Sequence, residues 1–261
     1  MRFDAAFVAD RIVEGLQEAR GVFPRDLERA ALFGLPVSVL TVAELTTTAI
    51  ENRLGRVLAR LGRGVAKRRL RGCLVALGGM GYVFLDEDDP AAMRFALGHE
   101  LAHFVGHYQD RRNEAVARLG EGILEVLDGA REPTWEERLG GLLAHCPLGV
   151  FGDAMVRDGS QAVDALTERM EAEADEAAFL ALAPPGRVIA AAVRAEGVAD
   201  RQAVEAALAR DFGLTAADAV RHAPRVLAVV ARSRPTLVGR LRQAAGRAGA
   251  AHRKGEEASH G

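Results

Sequence analysis

Apolar residues recur at helical spacing over most of this 261-residue chain and alternate or run together in only a few places. Ala5, Val8, Ile12 and Leu16 fall on one face and predict an N-terminal amphipathic helix. Leu35–Thr41, with Pro36 near its start and Val37 and Val39 alternating, reads as a short strand. Val42–Leu61 reads as a helix with Val42, Leu45, Ala49, Leu54, Leu58 and Leu61 on one side. Cys73–Leu77 and Tyr82–Leu85 flank Gly78-Gly79-Met80-Gly81, which predicts a β-hairpin with a Gly-rich turn. No Lys-Ser/Thr follows these glycines, so a turn is preferred to a phosphate loop. Asp88-Asp89-Pro90 then starts a helix, with a capping carboxylate ahead of Pro at the first helical position. Phe95, Leu97, Leu101, Phe104 and Val105 make that helix heavily apolar. Thr167–Phe179 is rich in helix formers, and Pro184-Pro185 stops it. Glu205–Phe212, Gly213-Leu214-Thr215 and Ala216–His222 have the outline of a helix-turn-helix, with Thr215 capping the second helix.

Composition narrows the class without naming a function. The chain is 49% hydrophobic and 27% charged, with a net charge of −2, as expected of a soluble globular protein. That charge gives no overall attraction to nucleic acid. Cys73 and Cys146 are too few for a disulfide framework, and their spacing is not that of a zinc knuckle. His145 and Cys146 are adjacent, so their side chains diverge, and a structural role is preferred. Asp4 and Asp10 interrupt any apolar leader at the N-terminus. The longest apolar stretch, Leu74–Leu85, is too short and too rich in Gly to span a bilayer. A cytoplasmic protein is expected. Arg53–Arg71 is free of acids and reads as the outer face of a helix and its loop. Residues 246–261 lack periodicity and are expected to be disordered.

The candidate chemistry lies in His99-Glu100-Leu101-Ala102-His103. Two histidines four apart on a helix share one face and can ligate one metal ion. The intervening Glu100 lies at the edge of that face, placed to take a proton from metal-bound water. Phe95 and Ala102 flank the face, so the histidines should be at least half buried and in need of partners. Catalytic zinc usually takes three protein ligands. Glu171 is the best third candidate, with Asp175 one turn on as acceptor for the free N–H of a ligating histidine. Glu168 extends that face, whereas Glu173 points almost to the opposite side. Ala174, Ala177 and Ala178 are small enough to let this helix approach another closely. Read alone, the segment would be an ordinary solvated acidic face. Tyr108, His107, His145 and His222 are candidate oxyanion donors, and nothing ranks them.

The run Arg94-Phe95-Ala96-Leu97-Gly98-His99-Glu100-Leu101-Ala102-His103 resembles the signature of the ImmA/IrrE family of metallopeptidases. His107 matches a further His often found just beyond. Glu171 to Phe179, continuing to Leu180, Leu182 and Pro184, is similar to the family's Glu-x-x-Ala-Asn/Asp-x-x-Ala-x-x-Leu-Leu-x-Pro block. A related block occurs in peptidases with transmembrane helices, which this sequence does not show. The resemblance covers about residues 35–230 and is specific only at these two blocks. It implies zinc as cofactor, His99, His103 and Glu171 as ligands, and Glu100 as general base. Two features depart from the family pattern. Ala102 stands where Gly is usual, and the gap from His103 to Glu171 is longer than in typical members. The extra segment, about residues 112–163, holds Trp135, Leu139–Ala144 and Phe151-Gly152-Asp153. It reads as a lid, a partner surface or padding helices.

The expected fold is α+β and zincin-like: a small antiparallel sheet packed on the active-site helix, with helices elsewhere. In zincins a strand edge beside the metal helix holds extended substrate, a role expected here for the hairpin. The segments expected are residues 1–34, a helical start; 35–186, the metallopeptidase domain with its insert; 187–245, a helical region; and 246–261, the tail. The leading functional expectation is a zinc endopeptidase cutting a protein partner such as a repressor or antitoxin. A general intracellular peptidase is one alternative. Another is a DNA- or protein-binding regulator with a structural or vestigial metal site. Arg221, Arg225, Arg232, Arg234, Arg240 and Arg242 admit DNA binding, but packed helices with a solvated basic tail are preferred. No membrane partner is expected, and the sequence does not specify an oligomeric state.

Overall fold

The hairpin forms as expected, and its apolar run is buried on both faces. Strand β2 (Leu70–Leu77) pairs antiparallel with β3 (Met80–Leu85). They join through Gly78 and Gly79 at φ +61° and +81°, the left-handed conformation that a two-residue hairpin turn demands. Leu74, Ala76, Val83 and Leu85 face the main core, whereas Cys73, Val75 and Phe84 face a smaller cluster with Val42, Leu45 and Ile50. Two-sided burial explains why these strands read as continuous apolar runs.

The computed structural model describes residues 3–54, 69–143, 148, 151–156 and 165–233. The protein is α+β and mostly helical, with a four-stranded sheet in the order β1-β3-β2-β4. The sheet is mixed, not antiparallel, because β1 (Val37–Thr41) lies parallel to β3. β4 (Phe151–Val156) adds antiparallel to the other side of β2. Both hairpin strands are therefore interior. The hairpin has no free edge, so the substrate-holding role expected of it cannot lie there; the outer strands are β1 and β4.

Helix α1 (Ala5–Ile12) is shorter than its periodicity suggested. Leu16 is buried in the 3-10 turn that follows, Glu14–Gly21. After α2 (Leu27–Gly34) and β1, the helix expected from Val42 starts only at Thr47, as α3 (Thr47–Leu54). The backbone before it is already engaged. The Val42 N–H donates to the Leu85 carbonyl at 2.8 Å, and the Leu45 N–H to Asp86 at 3.0 Å. Glu44 has φ +53°, which no α-helix accommodates.

Helix α4 (Pro90–Ala102) starts where the sequence placed it. Asp89 accepts from the Ala91 N–H at 2.8 Å, and Pro90 opens the first turn. A π-helical turn, His103–Gln109, continues it into α5 (Asp110–Leu119). Within the insert, α6 (Ile123–Leu127) packs a small separate cluster with Ala115. α7 (Trp135–Leu143) and β4 follow. The described insert is thus helices around their own cluster together with one new strand.

Helix α8 (Ala165–Leu182) lies directly on α4. A Cβ on Gly98 would sit 3.3 Å from the Ala178 Cβ, so small residues on both sides set the approach. α9 (Pro185–Glu196), α10 (Arg201–Arg210) and α11 (Ala216–Ser233) are the last helices among the described residues. Thr215 caps α11 as expected, accepting from the Asp218 N–H at 3.0 Å. Residues from α1 to α11 contribute to one main core. His145, Cys146, Arg234, Arg240, Arg242, residues 246–261 and positions 55–68 of the Val42–Leu61 and Arg53–Arg71 segments lie outside the described residues. Among the described residues no single helix is long and apolar enough to cross a membrane.

Candidate metal centre

The close approach of α4 and α8 brings three donors to one point. His99 Nε2 and His103 Nε2 are 3.1 Å apart. The Glu171 carboxylate spans them, with Oε2 3.2 Å from His99 Nε2 and Oε1 3.4 Å from His103 Nε2. Donors held about 2.0–2.1 Å from a tetrahedral ion lie about 3.3 Å from one another. The three side chains therefore fit a metal ion without rearrangement and could hold one. Both histidines are buried, whereas Glu171 is 35% exposed, so the site opens on the α8 side.

The electrostatics favour a cation at this point. Burial by itself would lower the His99 pKa. Its bonds to Asp175 and Glu171 outweigh that and raise it to about 10. Burial likewise acts to raise the Glu171 pKa, but contact with His103 and His99 holds it far below the usual carboxylate range. Two acidic groups thus converge on a site where a histidine proton or a metal ion supplies the balancing charge.

Asp175 occupies the place the sequence gave reason to expect. Its Oδ1 is 2.9 Å from His99 Nδ1, so it accepts the Nδ1 proton whether Nε2 carries a proton or meets a metal ion. Its Oδ2 accepts from Arg221 on α11 at 3.1 Å, and Arg221 also pairs with Asp218. Arg221, met in the sequence as part of a basic run, is thus engaged with acids.

His103 is backed differently. Its Nδ1 lies 3.0 Å from His107 Nδ1, and His107 Nε2 lies 3.2 Å from Glu173 Oε2. Glu173 therefore turns toward this histidine chain, not away as expected. Arg169 donates to its other oxygen at 2.8 Å. Burial, reinforced by the neighbouring His103, lowers the His107 pKa to about 3, so its ring is neutral.

Glu100 is buried, and its carboxylate reaches from α4 to β2. A Cβ added to Gly72 would stand 2.5 Å from Glu100 Oε1. Gly72 adjoins a register shift between β2 and β4, an irregularity that often accompanies active sites. Gly72 was invisible as a site residue in the sequence, because only the strand-to-helix approach gives its missing side chain a meaning.

The oxyanion candidates within the described residues are committed elsewhere. The Tyr108 hydroxyl accepts from the Gly79 N–H at 2.8 Å and secures the hairpin turn. His107 lies behind His103, on the Nδ1 side. His222 stacks on Phe179 at 4.4 Å between ring centroids. Phe151 of β4 lies beside the site, its ring centroid 6.5 Å from that of His103. Compared with known proteins, the chain matches no family model and no curated sequence.

Proposed function

We propose that this protein is a zinc-dependent endopeptidase that hydrolyses a peptide bond in a protein partner. The observation that carries the reading is the triangle of His99, His103 and Glu171 donors, with buried Glu100 next along the same helix. Two histidines and a carboxylate form a donor set that zinc takes in catalytic sites, leaving a fourth position open. Zinc bound there would acidify a water molecule and polarise the scissile carbonyl.

The chain's own groups supply the rest. Asp175 and Glu171 orient His99, and the Glu100 carboxylate accepts the proton released on attack. Glu100 then returns it to the departing amine nitrogen. Buried surroundings keep Glu100 from exchanging that proton with bulk water. An extended substrate would pair along the outer edge of β4, the outer strand whose Phe151 ring faces His103. The ImmA/IrrE-like blocks around His99 and Glu171 favour a dedicated regulatory target, such as a repressor or antitoxin, over general peptide turnover.

Glu100→Gln is the discriminating variant. It is isosteric and lies outside the ligand set, so zinc content should equal that of the parent by metal analysis. Hydrolysis of a trapped substrate should fall by about 10²–10⁴-fold, the usual contribution of a positioned general base. Unchanged hydrolysis would sink the peptidase reading, and absence of zinc from the purified parent would sink the metal reading.

A further inference from the structure

The three histidines His99, His103 and His107 follow one another at intervals of four, yet only the first two face Glu171. The third meets His103 from behind. His103 can bind metal through Nε2 only with its proton on Nδ1. That N–H then points at His107 Nδ1, 3.0 Å away, which must accept. A neutral His107 accepting at Nδ1 carries its own proton on Nε2, and Glu173 Oε2 lies 3.2 Å from that atom. One assignment of protons satisfies every contact in the chain. Both rings stand on the π-helical turn His103–Gln109. Phe3 stacks on the outer face of His107 at 4.8 Å, and a Cβ on Gly106 would collide with that ring. The His103–His107 contact is therefore buried, which strengthens that hydrogen bond, while Glu173 closes the link at the protein's rim.

We propose that His107 and Glu173 act as a positioning pair for the metal centre, fixing the tautomer and orientation of His103 as Asp175 fixes those of His99. This rests on the metal-site reading above. The two histidine ligands would then be held by different devices, one a direct carboxylate and the other a neutral imidazole with a carboxylate behind it. Groups in this outer position commonly contribute 10–100-fold to metal affinity.

The test compares His107→Phe with His107→Asn in the full chain. Phe keeps an aromatic ring against Phe3 but cannot accept a hydrogen bond. Asn loses the ring but places Oδ1 close to where Nδ1 stands. Zinc affinity is measured by competition with a chromophoric chelator, and folding by urea unfolding in the presence of chelator. The positioning role predicts zinc affinity about 10–100-fold weaker for Phe and within about threefold of the parent for Asn. It also predicts that Asn loses more stability in chelator. A purely structural role reverses the affinity order, with Phe near the parent and Asn impaired, and that result overturns the proposal. Glu173→Gln lies at the rim of the chain and keeps the test open if the buried changes perturb folding. A several-fold weaker affinity is expected there, and an unchanged one overturns the pair. If the parent itself binds no zinc, the metal-site reading falls and this inference with it.

Discussion

At the scale of single residues, the described histidines are sorted by what stands beside each ring. His99 has carboxylates on both nitrogens and His107 a histidine and a carboxylate, whereas His222 has an apolar sandwich of Phe95 and Phe179. Its Nδ1 is 3.4 Å from an Arg225 nitrogen, and its Nε2 is buried with no hydrogen-bond partner among the described residues. Burial first, then the charges of Arg221 and Arg225, lower its pKa to about 4 against the weaker pull of Asp175 and Asp218. The unfolded chain takes up a proton at this residue below pH 6.5, while the folded chain resists until about pH 4. Stability associated with His222 is therefore fully present above pH 6.5 and is lost as pH falls from 6.5 toward 4. His222→Phe keeps the aromatic stack and removes the titration. Between pH 7.5 and 5.0 the parent should lose up to about 2 kcal/mol more than this variant in urea unfolding. Equal losses would show that the ring titrates normally.

At the scale of elements, legibility followed the range of the interaction. The helix start at Asp89-Pro90, the Gly78-Gly79 turn and the Thr215 cap depend on neighbours in sequence, and each stands where its residues indicated. The parallel partner of β3 and the strand Phe151–Val156 depend on pairing across long separations, for which the pattern carries no local signal. Val42–Thr46 shows the same competition directly, since its helical periodicity yielded to bonds with Leu85 and Asp86. Within the site, His99, His103, Glu171 and Asp175 were legible because helical spacing places them. Glu173 was misread because its angle on α8 says nothing of where α4 lies. Gly72 belongs to the same level, because it matters only through the distance from β2 to α4. In Gly72→Ala the new Cβ, 2.5 Å from Glu100 Oε1, must displace that carboxylate. A shift of this kind costs on the order of 100-fold in rate when the displaced group reacts. The expected result is a kcat reduced by about that factor with zinc affinity unchanged. A loss confined to KM, with kcat and zinc content equal to those of the parent, would place Glu100 outside the proton transfer.

At the scale of the whole molecule, the helices that carry His99, His103 and Glu171 are held by the first and the last described helices. Val8 and Ile12 of α1 share one core with Leu97 and Leu101 of α4, Phe179 of α8, and Val204, Leu208, Ala219 and Val226 of the last two helices. Polar ties run the same way. Arg94 donates to the Gly213 carbonyl at 2.9 Å, and Arg221 reaches back to Asp175. The C-terminal helices are therefore part of the support of His99, and the fold should unfold as one cooperative unit. Leu208→Ala tests this, since Leu208 is fully buried in α10, far along the chain from the ligands. Removing such a side chain costs about 2–5 kcal/mol. In a single unit that loss appears equally in amide exchange at Val8 and Ile12 of α1, at Leu101 of α4 and at Ala219 of α11. It also appears as earlier release of zinc during urea unfolding. Were the last two helices an independent module, only their own amides would exchange faster, while α1 and α4 kept the protection of the parent and zinc stayed bound through the first transition.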